Sequence, residues 1–412
     1  MNDLKSLKSS IEKELGRSLE EISIINLVDL LVEYAYATHA SDVHIEPAVE
    51  GTRIRFRLDG LLTDMFDRKK LTKELSQEVI SRIKVLSGLR TDEHLMPQDG
   101  RFRVRIGETT DVDVRVSIMP TYYGENAILR VLAETTSFSL EGLGIEDSDL
   151  KKIRNAMKKP FGMILANGPT GSGKTTTLYT ILKELNKPDV SIITIEDPIE
   201  YSLQDASQIQ VNEQAGFKFA NGLRSILRQD PNIIMVGEIR DEETASIAVN
   251  AALTGHLLLS TLHTNDAATT FPRLTDMGVP PFLVASTVNI AMGQRLVRVI
   301  CPKCKKAKKL DKEAMKSASE LIPEIGERGL NKFFIGKGCD ACGNTGYQGR
   351  LGIREVLEVN EEIRQLVMNR ADAHKIKEAA VRNGMTTMVD DGLKKATDGV
   401  TSLEEILRVI HE

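Results

Sequence analysis

The sequence predicts an α/β chain in three parts: a small α+β domain, a core built on a parallel sheet, and a cysteine-bearing, helical C-terminal region. Three observations carry this. Apolar residues alternate strictly in several segments before residue 120, but come as short unbroken runs after about 145. One of those runs leads straight into the glycine-rich stretch GPTGSGKT. The four cysteines form two CxxC pairs, one on each side of a 34-residue spacer.

At 412 residues the chain exceeds two typical domains of ~150 residues. It carries 54 basic and 59 acidic side chains, a net charge of −5, and is 41% hydrophobic, so an ordinary globular interior can be filled. No apolar run approaches the ~18 residues of a membrane span, and MNDLKSLKSSIEKELG lacks the apolar segment of a secretory signal. Aromatics are 4% with no Trp, which disfavours base-stacking platforms for single strands. No nucleic acid is expected as a partner.

Residues 1–21 read as a short arm and 22–137 as the α+β domain. Ile24, Ile25, Leu27, Val28, Leu31, Val32 and Ala35 form a helical stripe, which Ser41 and Asp42 follow. TRIRFRLDG alternates Ile54, Phe56 and Leu58 with Arg53, Arg55 and Arg57; Asp59-Gly60 signals a hairpin, with LLTDMF as the returning strand. A second helix spans about 71–87, and RFRVRI (101–106) and DVDVRVSI (111–118) alternate again. The order is helix, hairpin, helix, hairpin. Residues 138–144 read as a linker.

From 145 to 300 the runs MILA (163–166), VSIITI (190–195), NIIMVG (232–237) and HLLLSTL (256–262) suit parallel strands buried on both faces. Residues 301–350 are a four-cysteine insertion and 351–412 read as small helices, with Asn360 and Thr401-Ser402 as N-caps.

Gly168, Pro169, Thr170, Gly171, Ser172, Gly173, Lys174 and Thr175, followed by Thr176, make a complete phosphate loop between a strand and a helix. The core is therefore expected to be a P-loop NTPase. Backbone N–H groups would surround a phosphate, Lys174 would reach the β/γ-phosphates of ATP, and Thr175 would hold Mg²⁺. A chance glycine-rich turn is the competing reading. Chemistry needs a second set of groups. Glu238 stands just past the strand NIIMVG, where open sheets bind ligands, and Glu196, Asp197 and Glu200 follow SIITI. Acids buried there are costly without a cation, which Mg²⁺ and an oriented water would supply; a solvated acidic loop is the alternative. His256 and His263 are seven apart, on opposite faces of an unbroken strand, so they are poor co-ligands. His263, beside Thr264 and Asn265, can read a γ-phosphate; a core histidine and a surface histidine are the plainer account.

Cys301, Cys304, Cys339 and Cys342 can present four thiolates to one Zn²⁺, a closed and hence structural site, with a self-folded hairpin filling the spacer. Two redox dithiols or reduced buried cysteines are the alternatives. Lys303, Lys305, Lys306, Lys308 and Lys309 make a basic run open to acidic lipid, a partner protein or plain solvation. Arg101, Arg103, Arg105, Arg115 and Arg130 suit a solvated strand face, and also charge stabilisation of a transferred phosphoryl group.

Taken together, ASDVHIEP (40–47), RIRFRLDG (53–60), MPQDGRFRVRI (96–106), GPTGSGKTTTLY, TIEDPIE (194–200), RSILRQDPNIIMVGEIRD (224–241), TGHLLLSTLHTND (254–266) and GYQGRLGIREVLEV (346–359) resemble the type II secretion motors and type IV pilus extension ATPases. The resemblance implies a RecA-like core, a PAS-like N-terminal domain, and a homohexamer that hydrolyses ATP at the cytoplasmic face of the inner membrane. It would be held there peripherally through partners and act on an inner-membrane platform protein. It implies Glu238 as the Walker B acid, with Glu196 as second choice for activating water. It further implies Glu196 and Glu200 in the acidic box, His263 as the box histidine, and Arg115 and Arg130 directed at nucleotide. The cysteine pairs favour assembly over the retraction ATPases; a DNA-translocating ring is a further alternative. Only 39 residues precede ASDVHIEP, so the additional N-terminal domain of many such proteins is expected to be absent or reduced to an arm.

Overall fold

The computed structural model describes residues 4–17, 21–64, 66, 71–107, 110–132, 139–212 and 215–411. Met65 of the expected returning strand, and Phe138 at the start of the expected linker, lie outside them. The chain divides into two compact units, Met1–Thr136 and Ser137–Glu412. No helix among the described residues is long and apolar enough to cross a membrane.

The N-terminal unit begins with α1 (Leu4–Glu14) and α2 (Ile24–Ala37). Ser23 caps α2 by accepting from the Asn26 amide, and Leu27, Val28, Leu31, Val32 and Ala35 are buried along one face. Ile25, placed on that stripe by periodicity, is instead 54% exposed. Then come β1 (Asp42–Ala48), β2 (Gly51–Leu58), β3 (Leu61–Thr63), α3 (Lys73–Leu86), β4 (Gln98–Ile106), β5 (Thr110–Thr121) and β6 (Gly124–Leu132). Asp59 and Gly60 both take positive φ, as a tight two-residue hairpin turn requires. The six strands form one sheet in the order β3-β2-β1-β6-β5-β4, antiparallel throughout.

Two of these strands escaped the helix–hairpin–helix–hairpin reading. In β1 only Val43 and Ile45 alternate before Pro47, too short a pattern to separate from a turn. β6 carries Ala127, Leu129 and Val131 inward, continuing straight from β5 through a turn. Both become interior strands because neighbours on either side complete their hydrogen bonds.

The C-terminal unit runs α4 (Asp147–Met157), β7 (Gly162–Asn167), α5 (Lys174–Leu185), β8 (Ile192–Glu196), β9 (Ser207–Gln210), α6 (Phe219–Ile226), β10 (Ile233–Val236), α7 (Glu242–Leu253), β11 (Leu257–Leu262), α8 (Thr270–Asp276), α9 (Pro281–Thr287) and β12 (Val288–Ile300). The cysteine region follows as β13 (Lys305–Lys309), α10 (Lys312–Leu321), α11 (Pro323–Glu327) and β14 (Lys332–Gly336). The chain closes with β15 (Tyr347–Glu358), α12 (Glu361–Met368), α13 (Ala373–Arg382), α14 (Met388–Thr397) and α15 (Leu403–His411).

Seven strands form the second sheet in the order β15-β12-β7-β11-β10-β8-β9. All neighbours are parallel except β12 and β15. β7, β8, β10 and β11 are buried along their whole lengths, because alternate residues feed two separate cores. Leu165, Ile234 and Leu258 join one core; Ile164, Met235 and Leu259 join the other with Leu178 of α5. The helical expectation for 351–412 has one exception, since residues 351–358 are strand. Arg354 and Glu355 interrupt its apolar pattern, yet both are buried against partners elsewhere in the unit. β12 was masked in the same way by Gly293, Gln294 and Arg295.

Candidate functional site

The parallel sheet places the ends of β7, β8, β10 and β11 along one edge, and the loops leaving those ends carry the polar residues. The loop after β7 passes through Gly168, Pro169, Thr170, Gly171, Ser172 and Gly173 into α5, which begins at Lys174. Gly168 has φ 141°, and a Cβ there would stand 2.4 Å from the Gln294 carbonyl oxygen, so only glycine fits. Thr175 and Thr176 lie in the first turn of α5, where backbone N–H groups lack helical acceptors. Ser172 Oγ is buried without a hydrogen-bond partner.

Lys174 folds back on the loop. Its Nζ donates to the carbonyls of Gly168 at 2.7 Å and Pro169 at 2.9 Å. Burial lowers its pKa to about 8, against the opposing pull of Glu238. A phosphate offers this ammonium more charge than two carbonyls do, so the loop fits an anion that draws Lys174 outward.

Glu238, just after β10, is 8% exposed. Its Oε2 accepts from Arg240 Nε at 2.6 Å and from His263 Nε2 at 3.1 Å. β10 and β11 are neighbours in the sheet, and Thr261 Oγ1 donates to the Gly237 carbonyl at 2.8 Å. That bond pins the Glu238 loop to the strand that delivers His263. His256 is elsewhere: its Nδ1 donates to the Ala251 carbonyl at 2.9 Å.

Glu196, at the end of β8, is 2% exposed. A carboxylate buried at a strand end is expected to need a cation. In the structure protein donors meet that need: the Tyr179 hydroxyl, Thr194 Oγ1 at 2.5 Å and Gln208 Nε2 at 3.2 Å. Burial, and then the Glu196 carboxylate, push the Tyr179 phenol far above its ordinary range, so it stays a donor. Glu200 lies beyond, half-buried.

Two supports were invisible in the sequence. Gln294 of β12, fully buried, donates to the Ser172 carbonyl at 2.8 Å and accepts from Thr177 Oγ1 at 2.9 Å. It thereby clamps the phosphate loop to the helix that follows. Asn167 Nδ2 donates to Thr270 Oγ1 at 2.6 Å, tying the start of the loop to α8. Each contact joins segments more than a hundred residues apart, and no local pattern signals such a pair.

In the N-terminal unit, register aligns a row of charges across the sheet. Arg101 of β4 faces Arg115 of β5, which faces Arg130 of β6, which faces Asp42 of β1, which faces Arg57 of β2. Asp42, 5% exposed, accepts from Arg130 Nε at 3.0 Å and pairs with Arg57 Nε at 3.3 Å. Four guanidinium groups and one carboxylate make the row cationic.

Cys301, Cys304, Cys339 and Cys342 converge at the base of the β13–β14 hairpin, all four sulfurs within 4.8 Å of one another. Three separations are 3.9, 3.9 and 3.7 Å. A tetrahedral zinc site with sulfur at ~2.3 Å has edges of about 3.8 Å. Burial tends to raise the Cys342 thiol, but the amides of Cys339 and Gly346 aimed at its sulfur bring it down to about 7. The donor set fits a thiophilic cation with no open position. The hairpin filling the spacer carries α10 and α11 at its tip, packed through Ala318, Ile322 and Ile325 onto Phe333.

Known proteins share the family and the fold of this chain. The model of the "Type II/IV secretion system protein" family matches residues 18–408. The type IV pilus assembly ATPase PilB of Myxococcus xanthus is 41% identical over 98% of this chain and 71% of its own length. The type II secretion system protein E of Xanthomonas campestris is 45% identical over 95% of this chain and 68% of its own. The PilB protein of Thermus thermophilus is 45% identical over 97% of this chain, which spans 44% of that relative. Among solved structures, the pilus retraction motor PilT with bound ADP is 27% identical, with a TM-score of 0.61 over 92% of this chain and 96% of its own. The Legionella pneumophila ATPase DotB, at 23% identity and TM-score 0.71 over 96% of this chain and 98% of its own, shares the fold.

Proposed function

The chain belongs to the type II/IV secretion system protein family, and we propose that it is the ATP-hydrolysing motor that drives assembly of a type IV pilus or a secretion pseudopilus. One observation carries the reading: Lys174 is held on its own loop beside a buried Glu238 that Arg240 and His263 already orient.

ATP would bind with its phosphates in the loop from Gly168 to Thr176. Lys174 would exchange two carbonyls for the β/γ-phosphates, while α5 presents its free N–H groups. Thr175 would hold Mg²⁺, which offsets the charge on the phosphate oxygens when bound. Glu238 would align the attacking water and accept its proton. His263, sharing Oε2 of Glu238, would register whether a γ-phosphate is present. Glu196, occupied by Tyr179, Thr194 and Gln208, suits shaping the strand end better than accepting a proton. Arg115 and Arg130 would supply positive charge to the transferred phosphoryl group, with Asp42 setting the direction of Arg130.

The partners in this reading are five further copies, giving a homohexamer, and an inner-membrane platform protein at the cytoplasmic face. Membrane association would be peripheral, through those partners. Zn²⁺ in the four-cysteine set would hold the β13–β14 hairpin closed.

The test uses the full chain. Mg²⁺-dependent release of phosphate from ATP, a hexamer by light scattering with nucleotide present, and co-purification with the platform protein of its own host are the expected results. Absence of phosphate release from properly folded hexamers would overturn the motor assignment.

A further inference from the structure

A buried carboxylate outside the nucleotide loops joins them to the C-terminal helices. Glu355 of β15 is fully buried. Its Oε1 accepts from the Ala267 amide at 2.8 Å, in the loop that carries His263. Its Oε2 accepts from the Met388 amide at 3.2 Å, the first residue of α14. Met388 is one of the helix-start donors that lack an intrahelical acceptor, and a negative group suits that end.

The packing leaves little room for another arrangement. Glu355 faces Gly293 across the β12–β15 pair. A Cβ on Gly293 would stand 3.0 Å from both the Ala267 nitrogen and Glu355 Cγ. Lys377 of α13 lies 3.8 Å from Asp266 and 3.9 Å from Glu355, supplying a cation to the same junction. One turn beyond Ala267, Thr270 accepts from Asn167 at the foot of the phosphate loop. At the other end, Met388 and Leu393 of α14 pack with Phe333 of the cysteine hairpin. A run of contacts therefore passes from Asn167 through Thr270 and Ala267 to Glu355, then to α14 and the hairpin.

We propose that Glu355 is a positioning residue that couples the His263 loop to α14, so that nucleotide state is felt in the C-terminal region. The proposal rests on the nucleotide reading of the phosphate loop. It needs a carboxylate specifically. Two oxygens accept from two amides on separate segments, and a glutamine offers one acceptor and one donor, so it can keep only one of the two bonds.

The test measures backbone hydrogen exchange in the full chain, with and without Mg²⁺ and a non-hydrolysable ATP analogue, together with kcat and KM. Two variants are compared. Glu355→Gln forces the choice between arms. Met388→Pro, read against Met388→Ala as the control that trims the same buried side chain but keeps the amide, removes the α14 donor at the first helical position, where proline is tolerated and where it follows Thr387, whose extended backbone suits a following proline. In the native chain nucleotide should slow exchange at 168–175 and alter it at 388–397. Both variants should keep the first response and lose the second, with kcat lower by roughly tenfold and KM within about twofold, the scale of one bond to a charged group. If Glu355→Gln fails to fold, Met388→Pro alone gives the answer. A retained nucleotide response at 388–397 in the folded variants, or a native chain that responds at 168–175 only, would overturn the coupling. A native chain responding at neither segment would overturn the nucleotide reading, and the proposal with it.

Discussion

The two units gather their polar groups by different routes. In the C-terminal unit the strands are buried on both faces, so every strand position is apolar or bonded, and chemistry is displaced to the loops beyond β7, β8, β10 and β11. In the N-terminal unit the sheet buries one residue in two, so charges stand on the sheet itself, as Arg101, Arg115, Arg130, Asp42 and Arg57 do. The first route sets a site through loops and a helix start; the second sets it through register, which a slip of one residue would destroy. The β13–β14 hairpin follows neither, because what gathers at its base is four sulfurs rather than strand-end loops or a sheet face.

That third arrangement gives the largest expected effect. Zinc binding to four thiolates contributes on the order of 10 kcal/mol to local folding. Cys339→Ser should strip the metal and open residues 301–346 to proteolysis, while the seven-stranded sheet stays folded. Elemental analysis of the native chain should give one zinc per subunit; native protein without zinc under reducing conditions would remove the hairpin from this comparison.

Next comes the strand-end site. Glu238→Gln should keep ATP affinity within about tenfold and lower turnover roughly 10²–10⁴-fold, measured by steady-state hydrolysis and nucleotide titration. Turnover within threefold of native would place proton acceptance elsewhere, with Glu196 the next acid to test.

The sheet-face route is probed by Arg115→Ala and Arg130→Ala, each expected to lower turnover about 10²–10³-fold in folded hexamers. Asp42→Asn should act in the same direction but less, because it leaves the guanidinium in place and only loosens its aim. Near-normal turnover in both arginine variants would confine the chemistry to the strand-end loops.

The smallest effect is a pH dependence. Burial brings the Lys174 ammonium down to about 8, and in the proposed site phosphate would bind its charged form. Nucleotide affinity should therefore be flat below pH 8 and fall about tenfold per unit as pH rises above it. Lys174→Arg, if it binds at all, should show no such fall, since guanidinium does not lose its proton in that range. A flat native profile to pH 10 would show that the ammonium is not the group that binds phosphate.

The sequence by itself determined the phosphate loop, the positions of Glu238 and His263 past strand ends, and the cysteine pairs. Each is a local pattern whose spacing is the mechanism: a loop between strand and helix, or two thiols on one turn. It also carried the four central strands, because burial on both faces demands unbroken apolar runs. Tertiary structure alone decided the rest. β12 and β15 contain Gly293, Gln294, Arg295, Arg354 and Glu355, and such residues are tolerated in a buried sheet only where distant segments supply partners for them. Glu196 reads as an acid in need of a cation until Tyr179 and Gln208 are seen to satisfy it. The arginine row exists only once register has brought five strands side by side. A side chain's partner across a hundred residues of chain leaves no periodic trace, and it is such partners that orient the groups which the motifs merely supply.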